Sequence, residues 1–314
     1  MPPKSPRTTD VDLRVSIGDL QLANPVMTAS GTFASGKEYA DFVDLGRLGA
    51  IVTKGVSLDP WTGNASPRIA ETASGMLNSI GLQNPGVEAF AANDLRWLAV
   101  HSPDTPIIVN VSGHTAAEYG AVIDRLEHEA NVAAYELNIS CPNVDAGGMA
   151  FGTDCAAAES VVASCRSRTS RPIIVKLSPN VTDITSVALA AEAAGADAIS
   201  LINTLLGMAI DIDTRRPKLA RTVGGLSGPA IKPVAVRMVW QVATAVGIPV
   251  VGMGGIMSSD DVVEFLMAGA SAVAIGTANF VDPTSAMRVL DGLEAWCRAN
   301  DVSRVAALTG SVEV

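Results

Sequence analysis

Short apolar runs that end in small or polar residues recur along the whole chain. Eight of them are candidate strands, at residues 26–30, 50–54, 107–112, 135–140, 173–178, 198–203, 250–254 and 272–276. Between several of these runs lie alanine-rich segments with helical periodicity, at residues 116–130, 154–168, 183–194, 229–246 and 259–268. The alternation of strand and helix predicts parallel β-structure, and the nearly continuous apolar strands predict burial on both faces of the sheet.

Eight such units in a chain of 314 residues favour an α/β fold whose strands close into a (β/α)8 TIM barrel, with an open doubly wound sheet as the second choice. We expect a single domain over residues 1–314, in which the polar, proline-rich residues 1–12 form a flexible tail. Residues 13–22 alternate apolar and polar positions around Gly18-Asp19, which predicts an N-terminal hairpin at the bottom of the barrel. Residues 55–88 and 203–232 are much longer than ordinary βα connections, so we expect long loops over the C-terminal mouth.

The composition narrows the classes of partner. The formal net charge of -10 argues against a nucleic-acid-binding surface and against a basic face for a membrane, because both partners are anionic. The longest uncharged stretch, residues 238–259, contains Gly247-Ile-Pro and predicts a helix end, a turn and a strand rather than a membrane span. The four cysteines have no C-x-x-C or other metal-ligand spacing, so we expect no metal site on this chain and a reducing, cytoplasmic setting.

Polar side chains gather where the candidate strands end. They are Ser30, Lys54, Asn110, Asn138, Lys176 and the pair Asn203-Thr204. The carboxyl ends of the strands of a barrel meet at one mouth, where the active site of this fold lies. One lysine at such a position is usually a side chain that reaches the rim. Two lysines together with several asparagines favour a binding site instead.

Glycines follow the seventh and eighth candidate strands, in Gly252-Met-Gly-Gly-Ile and Ile275-Gly-Thr. Barrels commonly bind phosphate at this position, through backbone N–H groups and a helix N-terminus. The same glycines would also serve tight turns, so taken alone they do not decide between the two interpretations.

Cys141 follows the fourth candidate strand. Pro142 disfavours helical geometry at the preceding residue, which indicates that the thiol lies on an extended loop above the barrel. Gly147-Gly148 further along suit a loop that opens and closes over the site. Cys155 and Cys165 fall within or beside a helical pattern and Cys297 falls in the terminal helix, so we interpret these three as structural.

Motifs in collinear order over essentially the whole chain resemble those of class 1 dihydroorotate dehydrogenase catalytic subunits. The form of the motif that begins at Asn78 looks like the NAD-linked class 1B branch rather than the fumarate-linked branch. The membrane-attached branch typically has serine where this chain has Cys141. The motifs that carry the resemblance are Thr28-Ala-Ser-Gly-Thr, Thr53-Lys-Gly-Val-Ser, Gly63-Asn-Ala-Ser-Pro-Arg, Asn78-Ser-Ile-Gly-Leu-Gln-Asn-Pro-Gly, Asn138-Ile-Ser-Cys-Pro-Asn, Val175-Lys-Leu-Ser-Pro-Asn, Ile202-Asn-Thr, Gly225-Leu-Ser-Gly, Gly252-Met-Gly-Gly-Ile and Ile275-Gly-Thr.

The resemblance implies a flavin-dependent oxidoreductase that converts (S)-dihydroorotate to orotate in de novo pyrimidine (UMP) biosynthesis. It implies Cys141 as the base that takes a proton from C5 and FMN as the acceptor of the hydride from C6. The FMN-binding residues that it implies are Ser30, Lys54, Gly55, Asn110, Asn138, Lys176, Ile202, Gly228, Gly254, Gly255, Gly276 and Thr277. The substrate-binding residues that it implies are Lys54, Asn78, Ser79, Ile80, Gly81, Leu82, Asn138, Asn203 and Thr204.

The resemblance also implies a partner subunit that carries FAD and a 2Fe-2S cluster and passes electrons to NAD, with the dehydrogenase as a homodimer within a heterotetramer. This chain has no G-x-G-x-x-G after a candidate strand and no cluster-binding cysteines, so we expect those cofactors on the partner alone. The sequence leaves three alternatives open: a fumarate-linked class 1A enzyme, another FMN-barrel oxidoreductase of dihydropyrimidines or dihydrouridine, and a non-catalytic barrel that binds a phosphate-bearing ligand.

Overall fold

Eight parallel strands form the central sheet of the protein. The computed structural model describes residues 10–139, 152 and 154–314. The apolar runs predicted from the sequence form these strands, with slightly different ends, because each run is buried on both faces. The strands are Val26–Thr28, Ile51–Val52, Ile107–Val111, Val132–Asn138, Ile173–Lys176, Ala198–Leu201, Val250–Met253 and Ala272–Ile275.

The sheet closes between its first and second strands in chain order. Met27 and Ala50 form a parallel bridge there, and the Gly49 N–H donates to the Val26 carbonyl at 2.8 Å. The Thr28 hydroxyl adds to this seam by accepting the Val52 N–H at 3.0 Å. The eight strands therefore form a (β/α)8 barrel, as predicted, and the open doubly wound sheet is excluded.

Helices follow the strands and pack on the outside of the barrel. The α-helices are Val87–Ala89, Arg96–His101, Ala116–Leu126, Cys155–Arg166, Ile184–Ala193, Lys232–Ala245, Ser259–Met267, Ala278–Val281 and Ser285–Ala299, with a π-helical segment at Phe90–Leu95 and 3-10 turns at Lys37–Tyr39, Leu45–Arg47, Pro229–Ile231 and Val305–Leu308. Several helices begin where a short polar side chain accepts a backbone N–H of the first turn, as Thr115, Asp154, Asp183 and Ser258 do. Such caps satisfy donors that the helix itself leaves unpaired.

The N-terminal hairpin consists of Val15–Ile17 and Leu20–Leu22, paired antiparallel. Ile17 and Leu22 are buried. A side chain at Gly18, in the turn, would contact Asp197, which directly precedes the strand Ala198–Leu201. The hairpin therefore lies at the amino-terminal end of the barrel strands, as predicted.

The two long connections meet in a four-stranded antiparallel sheet, which we call the roof sheet. Its strands are, in spatial order, Leu205–Gly207, Gly224–Ser227, Gly75–Asn78 and Ile69–Thr72, and a small hairpin of Ile210–Asp211 and Arg216–Pro217 lies beside it in the chain. Both segments lie over the mouth, as expected, and each contains short strands that pair with the other segment. These strands were not predicted because they are short, and Gly224–Ser227 pairs with Gly75–Asn78 more than a hundred residues away.

The uncharged stretch at residues 238–259 contains the end of the helix Lys232–Ala245, a turn, and the buried strand Val250–Met253, as interpreted from its Gly and Pro residues. In the described ranges, no helix combines the length and the apolar character that crossing a membrane requires. Asp12, at the end of the segment expected to be a tail, donates its N–H to the Ser303 carbonyl at 2.9 Å and accepts the Val305 N–H at 2.9 Å. Residues 1–9 lie outside the described part.

Candidate active site at the barrel mouth

A cavity of about 330 Å³ lies between the carboxyl ends of the barrel strands and the roof sheet. We call it the mouth cavity. Its lower wall comes from strand ends, including Ser30, Asn110 and Lys176, and its upper wall comes from the roof sheet, including Asn78 and Gly225. Its size falls in the range of small-molecule and cofactor sites. The barrel thus places residues from distant parts of the sequence around one ligand-sized space.

A buried cation forms part of the lower wall. Lys176, the last residue of its strand, is 5% exposed, and its ammonium donates to the Ser30 hydroxyl at 3.3 Å. The same Nζ lies 3.9 Å from Oε1 of Glu136, whose side chain is 2% exposed. A charge in such a position is tolerated only with a counter-charge and hydrogen bonds, and Lys176 has both.

Glu136 is held in turn by two hydrogen bonds. Its carboxylate accepts the Asn110 Nδ2–H at 2.6 Å and the Ser200 hydroxyl at 2.8 Å. The pairing of the strands brings these residues together, because Asn110 is in register with Glu136 and Lys176 is in register with Ser200. Sequence reasoning missed the contribution of Glu136 to the site, and with it the hydrogen bond from Ser200, a residue that does not line the cavity. The available signal was a lone carboxylate inside an apolar strand, two positions before Asn138 and therefore on the same face.

One acceptor on the cavity wall is unused. Among the described residues, Oδ1 of Asn110 is buried and has no hydrogen-bond partner. Gly55 lies directly beside it, because a Cβ at Gly55 would be only 3.0 Å from this oxygen. A buried orphan acceptor in a cavity wall is costly unless a ligand supplies the missing donor. The wall therefore suits a ligand that carries an N–H group.

Glycines form the side of the mouth cavity after the seventh and eighth strands. Gly254 and Gly255 have φ values of +128° and +78°, and a Cβ at Gly255 would lie 2.8 Å from the Gly228 carbonyl. Side chains at these positions would therefore clash. The Thr277 hydroxyl, next to Gly276, donates to Ser227 Oγ at 2.8 Å. Glycine backbone beside two hydroxyls can bind phosphate without a cluster of cations. We call this group of glycines and hydroxyls the glycine cradle.

Lys232 also lies at this end, since a Cβ at Gly255 would be 2.8 Å from its Cβ. Its ammonium is occupied by Asp261 and Glu264, each at 2.7 Å. These hydrogen bonds, led by that to Asp261, raise the pKa of Lys232. The cradle therefore offers backbone and hydroxyl groups, while the nearby lysine is already paired.

Amide groups line the upper part of the mouth cavity. The Asn78 Nδ2–H donates to the Gly225 carbonyl at 3.3 Å, which links two strands of the roof sheet. Oδ1 of Asn203 accepts the Thr204 N–H at 2.8 Å. Amides supply both donors and acceptors, which suits the alternating N–H and C=O groups of a pyrimidine ring.

The structure brings most of the expected site residues together. The mouth cavity is lined by all the residues expected to bind FMN: Ser30, Lys54, Gly55, Asn110, Asn138, Lys176, Ile202, Gly228, Gly254, Gly255, Gly276 and Thr277. It is also lined by Asn78, Ile80, Gly81, Leu82, Asn203 and Thr204 from the expected substrate set. Ser79 is fully buried and does not line the cavity that the described residues form. Cys141 and the loop glycines Gly147 and Gly148 lie outside the described residues.

Apolar side chains above the strand ends complete the wall, and no pattern in the sequence indicated their role. Ile69, Met76 and Leu206 from the roof sheet and Phe280 from the short helix Ala278–Val281 line the mouth cavity. The three roof-sheet residues stand in segments without clear periodicity, so the pairing of the roof strands brings them to the cavity. Together they cover the polar floor with an apolar lid.

The other cysteines differ in their environments. Cys165 and Cys297 are buried and Cys155 is exposed. Burial raises the pKa of the Cys165 thiol to about 12, and burial also raises that of Cys297. Within the described ranges, no three His, Cys, Asp or Glu residues are grouped as a metal site would require.

Comparison with known proteins points to one family. The sequence model of the family described as Dihydroorotate dehydrogenase matches residues 12–296. The chain is 56% identical over 301 residues to the protein named Dihydroorotate dehydrogenase B (NAD(+)), catalytic subunit, of Trichlorobacter lovleyi, which covers 96% of this chain and 98% of that one. It is also 56% identical over 301 residues to the protein of the same name from Alkaliphilus oremlandii, which covers 96% and 99%.

The fold has a counterpart among solved structures. The crystal structure of DHODH in complex with ferulenol from Eimeria tenella superposes with a TM-score of 0.81 and covers 98% of this chain and 90% of that one. Because the two sequences are only 21% identical, this likeness supports only the fold.

Proposed function

Because this chain belongs to the dihydroorotate dehydrogenase family, we propose that it is the flavin-dependent enzyme that oxidises (S)-dihydroorotate to orotate in UMP biosynthesis. The observation that carries this proposal is the mouth cavity. One space unites a buried lysine, an unused acceptor oxygen, a bare glycine cradle and a set of amides. The lysine, the acceptor oxygen and the glycines suit a flavin and its phosphate, and the amides suit a pyrimidine.

The residues of the cavity fit FMN. Gly228, Gly254, Gly255, Gly276 and Thr277 would hold the phosphate through backbone N–H groups and a hydroxyl. Asn110 would accept an N–H of the ring with its unused oxygen, and Lys176 would hold the ring with its charge, assisted by Ser30, Lys54, Gly55, Asn138 and Ile202. When bound, FMN supplies the acceptor for the hydride from C6 of the substrate. The charge of Lys176 would then favour electron transfer to the ring by offsetting negative charge.

The pyrimidine would be held above this ring by the amides. Asn78, Asn138 and Asn203 each offer a donor and an acceptor, and Thr204 adds a hydroxyl. Lys54 would pair with an anionic group of the substrate. Ile80, Gly81 and Leu82 at the cavity wall would fix its edge, and Ser79 is buried behind them. Apolar residues of the roof would keep water away while the groups remain in place.

Cys141 would act as the base. The oxidation removes a proton from C5, and a cysteine takes it through its thiolate, so this thiol must approach the face of the substrate opposite the flavin. The residue is reached from the strand Val132–Asn138, whose last residue lines the mouth cavity. Cys141 follows this strand end by only three residues in the sequence, which supports a role at the mouth cavity.

The test is an anaerobic titration. The purified chain, reconstituted with FMN, should lose its yellow absorbance when dihydroorotate is added and should release orotate in equal amount. Dihydrouracil and dihydrouridine at the same concentration should leave the absorbance unchanged. The proposal is wrong if the chain retains no FMN after the unbound cofactor is removed. It is also wrong if only the other dihydropyrimidines bleach the bound FMN. Lys176→Ala should impair either FMN retention or the bleaching.

We further propose that electrons leave through a partner. The relatives are named as the catalytic subunit of an NAD(+)-linked enzyme, which supports a second subunit on which FAD and a 2Fe-2S cluster would carry electrons to NAD. The dehydrogenase chains would form a homodimer within that heterotetramer, and the free thiols of the described residues suit work in the cytoplasm. Rapid fumarate reduction by the isolated chain would contradict this branch and favour the fumarate-linked one.

A further inference from the structure

The buried carboxylate of Glu136 touches two groups that line the mouth cavity without lining it itself. Its oxygens lie 2.6 Å from Asn110 Nδ2 and 3.9 Å from Lys176 Nζ, and the Ser200 hydroxyl at 2.8 Å completes its surroundings. Asn110 and Lys176 both belong to the cavity wall. Glu136 therefore lies one layer below the cavity floor and is close to two of its polar groups.

The chemistry of a carboxylate fixes the orientation of the Asn110 side chain. An ionised carboxylate can only accept hydrogen bonds, so the amide must present Nδ2–H to it and turn Oδ1 away. The reverse orientation would place two oxygens 2.6 Å apart inside the barrel. Oδ1 is the buried acceptor for which the described residues provide no donor. The orphan acceptor in the cavity wall is thus a consequence of the charge on Glu136.

The same carboxylate determines how Lys176 can be held. The lysine is almost fully buried, and Ser30 and Glu136 are the hydrogen-bonding and charged groups that meet its ammonium among the described residues. A buried ammonium without a counter-charge is strongly unfavourable. Glu136 therefore allows a buried cation at the floor of the mouth cavity.

We propose that Glu136 is a positioning residue: its carboxylate turns the Asn110 amide oxygen toward the ligand and keeps the Lys176 ammonium beneath it. The floor then offers one acceptor and one cation to a ring that carries both an N–H and electron-accepting atoms. This inference rests on the proposed binding of FMN. A role in folding alone would not require this residue, since buried ion pairs are often replaced by apolar residues without loss of stability.

Glu136→Gln tests the proposal, because glutamine keeps the shape, removes the charge and no longer dictates the orientation of Asn110. FMN affinity is measured by quenching of FMN fluorescence on the apoprotein, and the midpoint potential of the bound flavin by dye equilibration. The variant should bind FMN at least ~10-fold more weakly. Its potential should rise, since a negative charge near the ring is lost, by an amount equal to about a tenfold change in the redox equilibrium, about 30 mV for two electrons.

Ser200→Ala is the matched control. It removes the other hydrogen bond to Glu136 but keeps its charge and its bond to Asn110, so the FMN affinity should change by less than ~3-fold and the potential should stay the same. If Ser200→Ala shifts both quantities as much as Glu136→Gln, the effect is one of general packing and the proposal is overturned. An unchanged affinity and potential in Glu136→Gln would also overturn it.

If Glu136→Gln does not fold, Glu136→Gln/Lys176→Met replaces it, because removing both members of a buried pair is tolerated better than removing one. Asn110→Ala should weaken FMN binding at least ~5-fold in the wild-type chain but less than ~2-fold in this double variant, where Asn110 has already lost its fixed orientation. An equal loss from Asn110→Ala in both backgrounds would overturn the proposal. A wild-type chain that binds no FMN would instead show that the proposed function itself is wrong.

Discussion

The thiol of Cys165 shows how strongly the surroundings of one side chain determine its chemistry. It is fully buried on the inner face of the helix Cys155–Arg166, and burial raises its pKa to about 12. Cys155, on the same helix, is exposed. The reactive form of cysteine is the thiolate, so the two thiols should differ in reactivity although they are only ten residues apart.

We expect iodoacetamide to alkylate Cys155 of the native protein at pH 8 and to leave Cys165 and Cys297 unmodified. Both buried thiols have raised pKa values, and reagent cannot reach them without unfolding. Peptide mass mapping after brief treatment measures each site separately. In urea all three should react, which serves as the control. Alkylation of Cys165 in the native protein at the rate of Cys155 would contradict the burial.

Cys141→Ala should retain bound FMN but lose at least ~100-fold in turnover with dihydroorotate, because a general base contributes a factor of this order. Steady-state kinetics and the FMN content of the purified variant measure the two effects. Cys165→Ala is the matched control, since it removes a thiol remote from the mouth cavity and should leave turnover nearly unchanged. Near-normal turnover of Cys141→Ala would remove this residue from the role, and equal damage by both variants would indicate a folding defect.

At the scale of elements, the start of the helix Ser259–Met267 links the barrel mouth to the outer ring. Ser258 and Asp261 form a capping box there. Burial raises the pKa of Asp261, but the Lys232 ammonium, the Met257 N–H and the Ser258 hydroxyl together hold it below its usual value. Lys232 begins the preceding long helix and lies against Gly255 of the mouth cavity. The Asp261 carboxylate therefore caps the helix Ser259–Met267 and pairs with Lys232, the first residue of the helix Lys232–Ala245.

We expect Asp261→Asn to lower the free energy of unfolding by about 1 kcal/mol at pH 7, because it weakens the capping box and removes the ion pair with Lys232. Because the pKa of this carboxyl is lower in the folded than in the unfolded protein, its contribution is complete above the unfolded value of 3.8 and is lost as the pH falls below it. Urea unfolding at several pH values should show a constant difference from wild type above pH ~5 and a shrinking one below pH ~4. Exposed Asp260→Asn, in the same turn, should cost less than ~0.5 kcal/mol at pH 7. A difference that persists undiminished at pH 3 would contradict this account.

At the scale of the whole molecule, the barrel depends on closing its first strand onto its second. Gly49 makes the closing hydrogen bond to Val26 at 2.8 Å, and a Cβ there would lie 2.1 Å from the Asn24 carbonyl oxygen. The apolar core runs without a break from Val15 in the hairpin to Leu308 near the carboxyl end. This continuity supports the proposal that residues 1–314 form one domain.

Gly49→Ala should therefore lower the free energy of unfolding by about 2–3 kcal/mol, because backbone rather than a flexible side chain blocks the new methyl group. Urea unfolding followed by circular dichroism measures the loss. Gly46→Ala is the control: it lies three residues away on an exposed turn, and its Cβ would meet only the Asp44 side chain at 3.3 Å. Equal stability of the two variants would show that the seam is not tightly closed.

Much of this architecture could be predicted from the sequence, because it depends on local pattern. Each barrel strand is a short run of apolar residues with a definite end, as in Ile173–Lys176, and the βα alternation leaves few ways to arrange them. The polar residues at these ends could be placed at one mouth for the same reason. The helix predicted from periodicity at residues 183–194 is observed as Ile184–Ala193.

The roof sheet and the network below the cavity were decided only by the tertiary structure. Gly225 pairs with Asn78, and Glu136 meets Asn110, Ser200 and Lys176, across separations that no local pattern encodes. A roof strand such as Gly224–Ser227 has too few apolar residues to predict its own pairing. The charge of Glu136 acquires its role only where the closed barrel excludes water. The sequence by itself thus determined which residues end the strands, while the folded chain decided which of them meet, because burial and register are properties of the closed barrel.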